Sequence, residues 1–446
     1  MGIGRHATEL RELLRAKWRQ LPDAARTPQQ LAGRGGVGCG ATHGVQERCD
    51  LACTSCYLTD LANRTPPLPF DAVDEQLRTL RAHLGPEGKV QLTAGEVTLL
   101  PLAELGRIVE RAVELELDPM LMTNGRRLLR EPAYFEALVR DHGLRKVSFH
   151  VDLTQRGRPE VARAQRERDL DPVREQCAAL IRDVRRRTGV ALHGAMTVTV
   201  TPRNLGDVPE VVEFARRNAD AFRIVSFQPA AEVGRTEDAR ALAHGAPSMD
   251  ALWEQICAPY GRLLERHALH FGHPECNVTV PVVSVTAGDE AFGFEVVRAG
   301  SERDARGFAR MLQALADHAD APRPDRFRAG WLALRLAARP RLGLTTLGMI
   351  ARRAVQERRA LRRVLMAMVR GRRVRVRPQL FVIHRFMDAD ELASPQGRER
   401  LEACVFRVAV DGELVSMCEL NASGLRADLN RRAGARRPAR AAARAR

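Results

Sequence analysis

The sequence predicts an α/β fold: six successive βα units on a parallel sheet, followed by a C-terminal cap. Three observations predict it. From Val45 onward, short β-like runs alternate with amphipathic helical stretches. The 446 residues suffice for one large domain or two modest ones with a sizeable core. Polar and sulfur-bearing residues gather where the β-like runs end, which is where parallel βα architectures carry their chemistry.

Taken in order, residues 1–38 read as a leading helix and a glycine-rich approach (33–38). Strands are predicted over 44–47, 89–93, 119–122, 146–151, 191–200 and 222–228, with helices between them over 71–84, 102–115, 131–141, 171–187 and 208–218. A further helix over 249–267 closes a core spanning 39–270. Residues 271–300 return to β-like character around a His-Pro-x-Cys loop, and 301–378 read as an arginine-rich helical insert. A compact cysteine-containing β-like cap covers 379–430, and 431–446 is predicted to be a disordered basic tail.

The net charge of +16 suggests a nucleic-acid footprint, but its distribution argues against one. Residues 431–446 hold seven arginines and no acid, and 351–377 hold eleven arginines against Glu357. Those two stretches carry more than the entire net charge, so the predicted catalytic portion is near neutral. No run of 18 uncharged apolar residues predicts a membrane span, and the first residues lack the apolar core of a signal peptide. Nine irregularly spaced cysteines then predict reduced thiols and metal binding in a cytoplasmic compartment.

Cys49, Cys53 and Cys56 form a Cys-x3-Cys-x2-Cys triplet. Three thiolates on one short loop can hold three irons of a [4Fe–4S] cube and leave the fourth open to a small molecule. A zinc site is the main rival, but it normally draws four ligands from two CxxC-like pairs, and no second CxxC occurs. Next comes Thr93-Ala94-Gly95-Glu96-Val97 after the second strand, then Thr123-Asn124-Gly125 after the third. Turn formation alone accounts for the latter equally well. Ser148, His150 and Asp152 alternate onto one face of the fourth strand, Thr199 and Asn204 lie at the fifth, and Gln228-Pro229 at the sixth.

Together these motifs resemble the radical S-adenosylmethionine (radical SAM) enzymes over about residues 39–235. The resemblance implies a partial (β/α)6 TIM-like barrel, a [4Fe–4S] cluster on Cys49, Cys53 and Cys56, and bound S-adenosyl-L-methionine (SAM). It assigns SAM contacts to Tyr57, Gly95, Glu96, Thr123, Asn124, His150, Asp152, Thr199 and Gln228. Gly95 is expected to bring backbone, and Glu96 an acceptor, to the methionyl ammonium. Four residues depart from the family pattern: Ser55 where an apolar or aromatic residue contacts adenine, Ala94 and Val97 in the Gly-Gly-Glu-Pro motif, and His150 at a position often filled by serine. A satisfied barrel histidine is the alternative reading of His150. The implied activity is reductive cleavage of SAM to a 5′-deoxyadenosyl radical, fed by an electron donor such as flavodoxin or ferredoxin, in an oxygen-sensitive enzyme.

The His273-Pro274-Glu275-Cys276 loop and the Cys404…Asp411-Gly412…Cys418 hairpin resemble a carbon-alkylating or carbon-coupling subgroup, which includes tetraether lipid synthases and methylases of pterin precursors. That likeness implies a second Fe–S cluster on Cys276, Cys404 and Cys418, with Cys39 or a non-cysteine group as fourth ligand, and a lipid or small-molecule substrate. Buried free thiols are the alternative. Leu347, Ile350, Ala354, Leu361, Leu365 and Met368 form one helical stripe with arginines off it. Docking on the chain's own domain is the favoured expectation for this stripe, and peripheral contact with an anionic membrane the other. An RNA-modifying radical SAM enzyme, or a zinc-holding nucleic-acid-binding protein, remains the alternative function.

Overall fold

The computed structural model describes residues 2–236, 246–287, 290–298, 300–316 and 340–435. Its centre is an 11-stranded sheet in the order β11-β10-β1-β2-β3-β4-β5-β6-β9-β7-β8. The strands are β1 (Cys39–Ala41), β2 (Lys89–Leu92), β3 (Asp118–Thr123), β4 (Lys146–His150), β5 (His193–Val200), β6 (Phe222–Pro229), β7 (Asn277–Ala287), β8 (Glu290–Glu295), β9 (Val374–His384), β10 (Phe406–Val410) and β11 (Glu413–Ser416). Every pairing from β10 through β1–β6 to β9 is parallel. The predicted barrel of six βα units is present and continues by one parallel strand at each edge. The cap is therefore not a separate β unit: β9 joins the β6 edge and β10 the β1 edge.

Helices α1 (Gly2–Gln20), α2 (Phe70–Leu84), α3 (Leu102–Glu114), α4 (Arg126–Arg130), α5 (Pro132–Arg140), α6 (Asp171–Thr188) and α7 (Val208–Arg217) precede or connect the parallel strands. One continuous core lies between sheet and helices, with Leu77, Leu92, Leu121, Val147, Phe149, Ile181, Val198 and Phe227 fully enclosed. The predicted first strand over 44–47 is a correction. Strand β1 lies earlier, and the chain turns at Gly44, whose φ is +66°. Strand β1 has small residues because α2 presses on it: a Cβ at Gly40 would lie 2.6 Å from Leu80 Cδ2.

The helix predicted over 249–267 stops at Cys257, where Pro259 and the left-handed Gly261 turn the chain into a short 3-10 segment. The Arg-rich insert is helical over Glu302–Ala316, Pro340–Gln356 and Arg358–Val369. Its residues 317–339 lie outside the described residues. Of the predicted tail, 431–435 continue the helix Leu425–Ala435, and 436–446 lie outside the described residues. The β10–β11 turn is as expected, with Asp411 and Gly412 both at positive φ, the geometry of a two-residue primed hairpin. Among the described residues, no helix is long and apolar enough to cross a membrane.

Candidate active site

The cysteine triplet lies on the irregular loop leaving β1, and neighbouring strand ends hold that loop. Arg156 O and Thr154 O, beyond β4, accept from Ala52 N (2.9 Å) and Thr54 N (2.8 Å). Arg235 N, beyond β6, donates to Cys56 O and Leu58 O, and its guanidinium reaches Leu51 O. Glu96 N, beyond β2, donates to Arg48 O at 2.9 Å. Two glycines make these approaches possible. A Cβ at Gly234 would meet Tyr57 O at 2.5 Å and Cys56 O at 2.7 Å. A Cβ at Gly95, whose φ is +54°, would meet Glu47 O and Arg48 O at 2.6 Å. Gly95 was expected for a close approach to SAM; the close approach found here is to the carbonyls leading into Cys49.

One cavity of about 190 Å³ is walled by Cys49, Cys53 and Cys56 together with the ends of β2 to β6. Of the residues that the resemblance assigns to SAM, Tyr57, Gly95, Glu96, Thr123, Asn124, His150, Thr199 and Gln228 line it. Asp152 does not; it is fully buried behind His150. Its carboxylate accepts from Thr154 N (2.9 Å), Thr154 Oγ1 (2.6 Å) and Thr199 N (2.7 Å), and pairs with His150 Nε2 at 2.5 Å. Burial alone would raise its pKa, but the His150 charge and these hydrogen bonds hold it below the usual range. Burial disfavours the His150 imidazolium, yet Asp152 prevails and raises its pKa. Asp152 thus pairs with His150 without facing the cavity, and Asn204 is likewise turned away, bonding Glu167 and Thr199 O.

Glu96 ties two strand ends together. It accepts from Thr98 N, Thr98 Oγ1, Thr123 Oγ1 (2.8 Å) and Asn124 N (2.6 Å). Burial raises its pKa despite these four donors. Tyr57 bonds Thr93 Oγ1 through its hydroxyl (2.9 Å) under the Arg426 guanidinium, and burial pushes its pKa up to about 12. Sequence reasoning missed Asp50, which accepts from Asn124 Nδ2 and Arg126, and Arg158, buried against Asn124 O. Isolated polar residues in a loop carry no periodic signal, so nothing local marked them.

The triplet's donor set fits a cluster. Burial pushes the Cys49 thiol up to about 12, and burial together with the Cys56, Asp152 and Cys49 charges raises Cys53 well above its ordinary value. Thiols raised in this way do not ionise side by side without a cation to offset them. Ser55 Oγ, between the second and third cysteines on the cavity wall, is buried without a hydrogen-bond partner among the described residues. Among the described residues, no three His, Cys, Asp or Glu side chains already converge in metal-binding geometry.

Three further thiols lie just outside the strands: Cys276 before β7, Cys404 before β10 and Cys418 after β11. The charges of Cys404 and Cys276 act on Cys418, and that of Cys404 acts on Cys276. Their sulfurs accept from Met387 N (Cys418), Phe406 N (Cys404) and Arg400 Nε (Cys276, 3.2 Å). Cys418 also lines the cavity. Cys39 is not part of this set: it opens β1, and its buried thiol lies near Lys89 and Lys146, the first residues of β2 and β4. Cys177 and Cys257 are buried.

No family model matches the chain. It is 24% identical over 200 residues to the 7,8-dihydro-6-hydroxymethylpterin dimethyltransferase of Methanocaldococcus jannaschii, covering 44% of this chain. The chain spans only 37% of that relative's length. Among solved structures, anSMEcpe with bound AdoMet gives 15% identity over 42% of this chain and 50% of its own, at a TM-score of 0.30. The radical SAM enzyme coproporphyrinogen III oxidase (HemN) of Escherichia coli gives 15% identity over 55% of this chain and 54% of its own, at a TM-score of 0.32. The chain is thus similar over 200 residues to a pterin dimethyltransferase, and its three cysteines on the loop after the first strand share one cavity with the ends of the next five parallel strands.

Proposed function

We propose that Cys49, Cys53 and Cys56 hold a [4Fe–4S] cluster, and that the enzyme uses SAM to attack an unactivated carbon of an apolar small molecule or lipid, for C-alkylation or carbon–carbon coupling. The observation that carries this reading is the single cavity shared by the triplet and the SAM-side residues Gly95, Glu96, His150, Thr199 and Gln228. When bound and given one electron by an external donor such as flavodoxin or ferredoxin, the cluster would cleave SAM to methionine and a 5′-deoxyadenosyl radical able to remove hydrogen from carbon. The chain's own part is to position and to exclude. Asp152 fixes the His150 ring, Glu96 locks the β2 and β3 ends, and Phe386, Met387, Phe406 and Met417 form an apolar wall on the same cavity. Such a wall suits a C–H bond and keeps out water, a competing partner for reactive intermediates.

The relative named as a pterin dimethyltransferase supports the alkylation branch of this reading. The same reading takes Cys276, Cys404 and Cys418 as donors to a second cluster, with Arg400, which donates to the Cys276 sulfur, offsetting negative charge there. The test is iron and sulfide content with EPR after anaerobic reconstitution, alongside 5′-deoxyadenosine formation from SAM. Wild type and the Cys49→Ala/Cys53→Ala/Cys56→Ala variant are compared. About eight irons falling to about four, with 5′-deoxyadenosine lost, is the expected result for two clusters. About four falling to none removes the second cluster, and zinc in place of iron overturns the reading.

A further inference from the structure

The arginine-rich helices take no part in the cavity, and their apolar stripe is not covered as the sequence led us to expect. On the helix Arg358–Val369, Leu361, Leu365 and Met368 recur at i, i+4 and i+7 and are 44%, 61% and 60% exposed. On the helix Pro340–Gln356, Leu344, Leu347 and Val355 share one face and are likewise exposed. Of the large apolar residues there, Met349 is buried, beside Gly307. At about 100° per residue, Arg358 and Arg362 fall beside the Leu361–Leu365 stripe, while Arg359 and Arg363 fall on the opposite face of the helix.

A second feature adjoins it. Arg359, Arg362, Arg363, Arg370 and Arg372 surround a shallow surface cavity of about 480 Å³ whose remaining walls are Met366 and Ala367. No carboxylate lines it, and none of the five arginines pairs with one among the described residues. Guanidinium groups so arranged match the oxygens of phosphate groups, which they can grip in pairs. A cationic face opposite an exposed apolar one is the form of an amphipathic helix lying in a membrane interface. RNA would use the arginines and leave the apolar stripe wet. A second copy of the chain would bring the same charge and be repelled.

We propose that this surface docks the protein on an anionic lipid bilayer, with Leu361, Leu365 and Met368 entering the headgroup layer and the five arginines taking lipid phosphates. The docking stands independently of the chemistry in the cavity. The test is co-sedimentation of the full chain with phosphatidylcholine vesicles, with and without phosphatidylglycerol, at low and high salt. Wild type should pellet with phosphatidylglycerol vesicles at low salt and be released by high salt. Arg359→Glu/Arg362→Glu/Arg363→Glu should weaken partitioning by on the order of 100-fold or more. Leu361→Ser/Leu365→Ser/Met368→Ser should weaken it by on the order of 10-fold at unchanged charge. Arg359→Gln/Arg362→Gln/Arg363→Gln serves should the reversal variant misfold, with circular dichroism as the folding check. Indifference of wild type to phosphatidylglycerol overturns the proposal. So does wild-type binding by the arginine variants, which would credit the basic stretch after Ala435. Full binding by the apolar variant, together with displacement by single-stranded RNA, would make the face a nucleic-acid surface instead.

Discussion

Gly95→Ala tests whether the cysteine loop depends on backbone contact with the β2 end. The new Cβ would overlap Gln46 O and lie 2.6 Å from Glu47 O and Arg48 O, where about 3.0 Å is the nearest a Cβ is found. The two loops must therefore separate by at least about 0.6 Å, which also strains the 2.9 Å bond from Glu96 N to Arg48 O. A side chain at a φ of +54° costs about 1–2 kcal/mol, and the forced backbone shift about 1–3 kcal/mol. Weakening the hydrogen bond adds about 1 kcal/mol, for a total of roughly 3–6 kcal/mol. Gly189→Ala is the internal control: its φ is +69°, but no heavy atom lies within 4 Å of where its Cβ would sit, so it should show the left-handed cost alone. Urea unfolding of both apoproteins gives the difference, and iron per chain after anaerobic reconstitution reports whether the displaced loop still loads. Equal stability of the two variants, with wild-type iron in Gly95→Ala, would refute the reasoning.

Two further perturbations probe buried charge. Arg174→Met strands the Glu167 carboxylate, which is fully buried and paired with Arg174, and should cost about 3–5 kcal/mol in urea unfolding. A loss below about 1 kcal/mol would mean that Leu153 N and Asn204 suffice to solvate it. Burial lowers the Lys17 pKa from 10.5 to about 8, although its Nζ donates to Cys404 O at 2.9 Å. A depressed folded-state pKa favours the neutral amine, so the stability it allows is complete above pH 10.5 and is lost as pH falls toward 8. Lys17→Met should accordingly stabilise the protein by about 2–3 kcal/mol near pH 7, with the gain fading toward pH 10.5. A gain independent of pH would show that packing, not ionisation, is responsible.

The parts of this protein that were legible in its sequence are those fixed by neighbours in the chain. Strands β2 to β6 and their helices follow local periodicity, and the triplet follows local spacing. Strand β1 escaped because Cys39-Gly40-Ala41 has no β-branched residue, and the reason for that, Leu80 pressing on Gly40, lies forty residues away. The places of β9 and β10 in the barrel escaped for a different reason: a parallel strand reads the same whichever edge it joins. The role of Gly234 depends on carbonyls in the cysteine loop, and no spacing encodes that contact. The stripe at Leu361, Leu365 and Met368 has the same period whether covered or exposed, so only the fold could decide between docking on its own domain and exposure.

Strand β9 links the two surfaces of interest and sets a limit on how they work together. Its first residues, Val374 to Arg377, follow the arginine hollow directly and are largely exposed. Its last residue, His384, and the following Phe386 and Met387 line the cavity. Eleven residues of strand at about 3.3 Å each separate these ends by roughly 35 Å. A bilayer gripped at the arginine end would thus lie far from the cavity along this strand, and an acyl chain still embedded there could not extend straight into it. The docking surface would then localise the enzyme without itself delivering substrate. The reacting carbon would belong to a molecule able to leave the membrane, and SAM cleavage in solution would not depend on Arg359, Arg362 or Arg363.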